Sequence, residues 1–290
     1  MESKLITTIN LLRKTGFFSS FEGDASEIAE KIIEKSQTSY FGDILNLENE
    51  PLYEQVVLSY DKEICWLIED INGYYLSDET SIEVYYNVFC YLKIISKGLF
   101  SPENIMISEC GYCEGRDKRV KLNFLLENKE KSIVFCADGW SLTLSFLDEI
   151  NLFIKDTAHS FECIIDNYGV CFVYFLNQKQ KEFLTEELKW NFISNTSYWA
   201  DKAVYFREIK NPEKAEECFK RAIIKHDNIN SVVQYAIFLK ENSRISEALS
   251  IFELGKNILD KQTFSIENRQ WWLEFIDGQL NSIEQLNENN

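Results

Sequence analysis

One pattern in the last third of the chain returns at a fixed offset. Ala203, Ala215, Phe219 and Ala222 recur as Ala236, Ala248, Phe252 and Gly255, each 33 residues later. A period of that length marks an array of helix pairs, each unable to bury its apolar face without a neighbour. The residue types agree with this. Small side chains at those offsets let two antiparallel helices approach closely, and each Phe fills the gap between pairs. Residues 196–290 are therefore expected to form an all-α domain.

Residues 1–195 follow other periods, and together the two parts predict an α+β chain. Helices are expected over 2–14 and 24–36, where Ile28, Ile32 and Ile33 share a face. Val56–Tyr60 and Ile64–Ile68 read as a hairpin around Asp61-Lys62-Glu63. A Tyr-rich helix over 79–96 follows, closed by Gly98, and Ser101-Pro102-Glu103 reads as a further turn of helix. Val120, Leu122, Phe124 and Leu126 alternate with polar residues as in a half-buried strand, and Ser132–Ala137 returns beside it. After a helix over 142–155, Phe161–Ile165 and Val170–Leu176 form another hairpin, and a helix over 179–192 connects to the second domain. Successive hairpins predict a largely antiparallel sheet with helices packed on it. The domains are then 1–195, acidic and α+β, and 196–290, helical.

The repeat resembles the tetratricopeptide family. Residues 196–228 place Trp199, Ala203, Ala215, Phe219 and Ala222 at that family's signature positions, with Asn211-Pro212 opening the second helix as N-cap and N1. Residues 229–262 keep Ala248, Phe252 and Gly255 but carry Val232 in place of Trp, and 266–280 reads as a covering terminal helix. The resemblance implies a concave groove lined by Ser197, Ala200, Val204, Arg207 and Glu208, then Asn230, Val233, Ile237, Lys240 and Glu241. Arg207 and Lys240 are equivalent positions, roughly 10 Å apart at helix-packing distances. They could clamp carboxylates of a bound peptide, as in an adaptor or chaperone. The same groove could equally be filled by the chain's own connecting helix or terminal segment.

Charge is distributed unevenly. The chain of 290 residues carries a net charge of -17, which disfavours nucleic-acid and anionic-membrane partners. Residues 196–290 hold 15 acids and 12 bases, whereas residues 41–110 alone hold 13 acids against Lys62, Lys93 and Lys97. No apolar run approaches the roughly 18–20 residues of a membrane span, and the N-terminal stretch lacks signal-peptide features. Eight cysteines, several in apolar segments such as Val134-Phe135-Cys136-Ala137, are expected to be reduced thiols in a cytoplasmic protein.

Catalytic signatures are sparse. No GxSxG, P-loop, GxGxxG or HExxH pattern occurs, and His159 and His226 are the sole histidines. Cys110-Gly111-Tyr112-Cys113 reads as structural, as half of a metal site, or as a redox pair. No cofactor is implied. This pattern favours a binding protein over an enzyme, with an enzyme or metal site at Cys110 and Cys113 as the alternative.

The acidic stretch supplies the expected partner site. Glu69, Asp70, Asp78 and Glu79 bracket Tyr74 and Tyr75, so charge would steer a basic protein and aromatic area would anchor it. Tyr60-Asp61, Trp66, the run Ile94–Pro102 and the late hairpins are similar to uncharacterised bacterial proteins, some of which serve as immunity partners of polymorphic toxins. That resemblance implies neutralisation of a basic toxin domain by direct binding.

Overall fold

A computed structural model describes residues 2–36, 53–61, 65–67, 81–112, 118–137, 144–165, 171–192, 196–224 and 228–288. The chain divides into two compact units, one of residues 1–133 with 137–193 and one of 134–136 with 194–290. The fold is α+β, and the C-terminal helices form a hairpin array.

The first unit opens with α1 (Glu2–Arg13) and α2 (Ala25–Ser36). Leu5, Ile9 and Leu12 make one buried stripe on α1, and Ile28, Ala29 and Ile32 make another on α2. A reciprocal cap starts α2. Asp24 Oδ1 accepts from the N–H groups of Ser26 and Glu27 at 2.8 and 3.1 Å, and Glu27 Oε2 accepts from Asp24 N–H at 2.9 Å. Gly23 is needed there. Its φ is +110°, and a Cβ would collide with the Glu27 carboxylate.

Two elements differ from the expected pattern. Tyr53–Ser59 is a helix, α3, rather than the first strand of a hairpin. Val56, Val57 and Leu58 are all fully buried, so the run is enclosed on every side and shows no period by which helix and strand could be told apart. β1 (Cys65–Leu67) instead pairs antiparallel with a strand a hundred residues away. The turn of helix expected at 101–103 is also absent. Pro102 stands just before β2 (Glu103–Tyr112), where its missing N–H disturbs no ladder. Between these, α4 (Ser81–Ile95) ends as expected, with Lys97 and Gly98 at positive φ and Gly98 N–H donating to Lys93 O.

Two three-stranded sheets follow. β3 (Lys118–Leu126) is central in the first, between β2 and β4 (Lys129–Ala137). Val120, Leu122, Phe124 and Leu126 are buried and alternate with half-buried residues, and Glu127 and Asn128, both at positive φ, turn the chain into β4. After α5 (Leu147–Phe153), β5 (His159–Ile165) and β6 (Cys171–Asn177) complete the second sheet in the order β1-β6-β5, every pairing antiparallel. β6 is central and buried nearly throughout. Phe172, Tyr174 and Leu176 join α1, α2 and α3 in one core, with Leu184 and Trp190. Burial, with the Cys65, Cys171 and Cys163 thiols, pushes the Tyr174 phenol well above its ordinary pKa. Phe89, at the centre of another cluster, lies 5.3–5.8 Å from the rings of Phe100, Phe124 and Phe146. Asn177 and Gln180 form a capping box at the start of α6 (Gln178–Glu186).

The second unit is built from α7 (Thr196–Glu208), α8 (Pro212–Ala222), α9 (Ile229–Glu241), α10 (Ile245–Lys261) and α11 (Ile266–Glu288). The period seen in sequence extends to the backbone. Lys210 and Ser243 both adopt positive φ, at 58° and 60°. Asn211 N–H donates to Phe206 O at 2.8 Å, and Arg244 N–H donates to Leu239 O at 2.9 Å, so both hairpins turn through the same hydrogen bond. The recurring small residues sit where helices meet, since Ala203, Ala215, Ala236 and Ala248 are fully buried. At Gly255 a Cβ would stand 3.3 Å from both Ile229 Cδ1 and Ile276 Cδ1, which explains the one departure from Ala.

Candidate interaction surface

Six of the expected partner residues, Glu69, Asp70, Tyr74, Tyr75, Asp78 and Glu79, lie outside the described residues. Within the acidic stretch the structure places α3 and β1, which are largely buried or carry no described outward surface, and its second half, α4 and β2, which does. Helical geometry separates two adjacent tyrosines there. Tyr85 is fully buried beside Phe146, while Tyr86 is 50% exposed. Tyr86 begins an outward row continued one and two turns later by Cys90 and Ile94, the latter 63% exposed, with Tyr91 alongside. β2, packed against α4, is the outer strand of its sheet and exposes Met106 and Tyr112. Its register shifts between Glu103 and Met106 and again between Glu109 and Tyr112. Such irregularities twist an edge away from indiscriminate strand pairing. Sequence reasoning reached the charge of this surface but not its apolar part. The usable signal was on α4, where apolar Tyr86, Tyr91 and Ile94 are exposed beside polar Asn87 and Lys93.

Cys110 sits on β2 half-buried. Burial raises its thiol pKa, against the opposing charges of Arg119 and Lys121, so it stays protonated at neutral pH. Cys113 lies outside the described residues. Among the described residues, no group of three His, Cys, Asp or Glu stands close enough to hold a metal ion. The expectation of eight reduced thiols is corrected at Cys136, which is disulfide-bonded. Val134, Phe135 and Ala137 are buried around it, whereas Cys136 itself is only partly buried. Cys65, Cys90, Cys110, Cys163, Cys171 and Cys218 carry thiols. His159 is held structurally, with Nδ1 2.7 Å from Thr157 O and the ring stacked on Phe175.

In the helical unit the two basic groove positions have separate neighbours. Arg207 lies 3.8 Å from Glu241, on the next hairpin. Lys240 turns to α11, donating to Gln279 Oε1 at 2.5 Å and to Ser282 Oγ at 3.2 Å. Half of the expected clamp is thus engaged by the chain's own terminal helix. α11 buries Ile276 and Ile283 and leaves Trp271 56% exposed.

Between the hairpins, Glu216 gathers Arg244 at 2.6 Å, Lys220 at 2.7 Å and the Tyr235 hydroxyl at 3.4 Å, and Arg244 also pairs with Glu247. Hydrogen bonds from Arg244 and Lys220 hold the Glu216 carboxyl below its ordinary range. Burial, then the Glu216 charge, pushes Tyr235 up to about 12. A depressed carboxyl stabilises the folded state above its unfolded value, about pH 4.3 for Glu, and loses that contribution as pH falls through the folded value. Glu216→Gln is therefore expected to melt below the parent at about pH 7, with the gap narrowing as the pH falls below the ordinary Glu value of about 4.3 and through the lowered folded value. The gap stays modest because the cluster is open to solvent. Thermal denaturation at neutral and acidic pH checks this, and a gap unchanged in acid would overturn it.

No described helix is long and apolar enough to cross a membrane. No family model, curated protein or solved structure matches the chain.

Proposed function

We propose that this chain is a non-enzymatic binding protein that neutralises a basic protein, a toxin domain of the immunity type, by covering its cationic face. The reading is carried by one coincidence. The stretch with 13 acids against three lysines, residues 41–110, also exposes Tyr86, Tyr91, Ile94, Leu99 and Met106 on α4, β2 and the segment between them. Acids steer a basic partner and repel other acidic chains, while exposed aromatic and aliphatic area anchors the encounter. A cytoplasmic site of action agrees with most of the cysteines carrying thiols. A tetratricopeptide-type adaptor, gripping a peptide through Arg207 and Lys240, is the competing reading. The hold of α11 on Lys240 weighs against it.

The test is binding kinetics at two ionic strengths against the protein that co-purifies with the full chain. Reversing Glu69 and Asp70 to Lys is expected to slow association by about tenfold at low salt and to flatten its salt dependence. Tyr74→Ala and Ile94→Ser should act mainly on dissociation. An association rate indifferent to salt overturns electrostatic steering. Binding that survives the acid reversals but is lost with Arg207→Glu and Lys240→Glu establishes the groove instead.

A further inference from the structure

Cys163 and Cys171 stand on one face of the β5–β6 hairpin. The register pairs Cys163 with Val173 and Ile165 with Cys171, so the two cysteines are diagonal neighbours on adjacent strands. Their Sγ atoms are 3.0 Å apart, and both side chains are buried. A disulfide needs about 2.05 Å, so the sulfurs lack roughly 1 Å of approach. We propose that this pair is a redox-modification site, closing to a reversible cross-strand disulfide by exchange with a low-molecular-weight disulfide.

The exchange runs in two displacements. The Cys171 thiolate attacks one sulfur of the small disulfide, forms a mixed disulfide and expels one small thiolate, which takes up the proton Cys171 gave up. The Cys163 thiolate then attacks the Cys171 sulfur, forms the Cys163–Cys171 bond and expels the second small thiolate, which is protonated in turn. Two protein thiols are oxidised, and one small disulfide is reduced to two thiols. Cys171 is assigned the first attack because it is the more exposed of the two and stands at the first position of β6.

Position also makes the bond labile. Diagonal neighbours on a ladder sit about 7–8 Å apart at Cα, whereas unstrained disulfides span about 4.4–6.8 Å. Closing the bond therefore draws β5 and β6 together at that corner, and a strained disulfide is more easily reduced. The strain is delivered to a strand whose other face, Phe172, Tyr174 and Leu176, is part of the core with α1 and α2.

The experiment uses the native full chain with oxidised glutathione as the probe. After incubation, remaining thiols are alkylated in denaturant and the linkages are mapped by mass spectrometry. The expected result is the loss of two alkylatable thiols, a linked peptide joining Cys163 to Cys171, and full recovery on adding dithiothreitol. In Cys163→Ser, a glutathione adduct should instead persist on Cys171. Both thiols remaining alkylatable in the native chain, or linking only after unfolding, overturns the proposal. The wild-type mapping stands even if the variant does not fold.

Discussion

Phe219→Ala is expected to lower the stability of the helical unit by about 3–5 kcal/mol, the cost of truncating a fully enclosed aromatic residue and leaving its cavity. Phe219 has no exposed surface, and its ring lies 5.7 Å from that of Tyr235 and 5.3 Å from that of Phe238. It wedges α8 against α9, so its removal loosens the contact between the two hairpins as well as the one within the first. Stabilities of single domains lie at about 5–15 kcal/mol, and this one change would remove a large share. Urea unfolding followed by far-ultraviolet circular dichroism measures it. A loss below about 1 kcal/mol would mean that neighbouring rings collapse into the space.

The second large effect is expected at Asp61. This buried residue accepts a hydrogen bond from Phe18 N–H on Oδ2 at 2.6 Å, while its backbone O accepts from Cys65 N–H at 2.9 Å. It thereby ties the exit from α1, where Phe18 adopts a φ of 54°, to the corner between α3 and β1. Asp61→Ala leaves the Phe18 N–H buried without this acceptor, at a cost of about 1–3 kcal/mol for a buried donor left unsatisfied. Asp61→Asn keeps an acceptor oxygen at the same place and should recover much of the loss. Equal stability of the Ala variant and the parent, in the same unfolding experiment, would overturn this account.

How much of this was legible in advance depended on whether a segment buries one side or all sides. Ala203 to Gly255 announced the helix pairs because close approach requires small residues at fixed intervals. β3 announced itself through Val120, Leu122, Phe124 and Leu126, which face one core in strict alternation. α3 did not, because Val56, Val57 and Leu58 are enclosed all round and carry no period. β2 was hidden for the opposite reason. As an outer strand with two register shifts it buries little and alternates imperfectly. The candidate surface was half legible. Its charge is additive along the chain, but the outward direction of Tyr86 and Ile94 depends on where α4 sets its core side, with Val88, Phe89 and Leu92.

The shared joint of the two hairpins has an architectural consequence. Lys210 and Ser243, with the hydrogen bonds from Asn211 and Arg244, are the same hinge copied once, and α11 follows α10 much as α9 follows α8. A chain assembled by identical hinges is extensible. A duplicated block of 33 residues inserted ahead of Ile229 would meet, at one of its ends, a surface already shaped for it, and at the other would need a single new junction. Length in this half of the molecule is thus adjustable by gene duplication or by design in whole steps, at the cost of one redesigned interface per step.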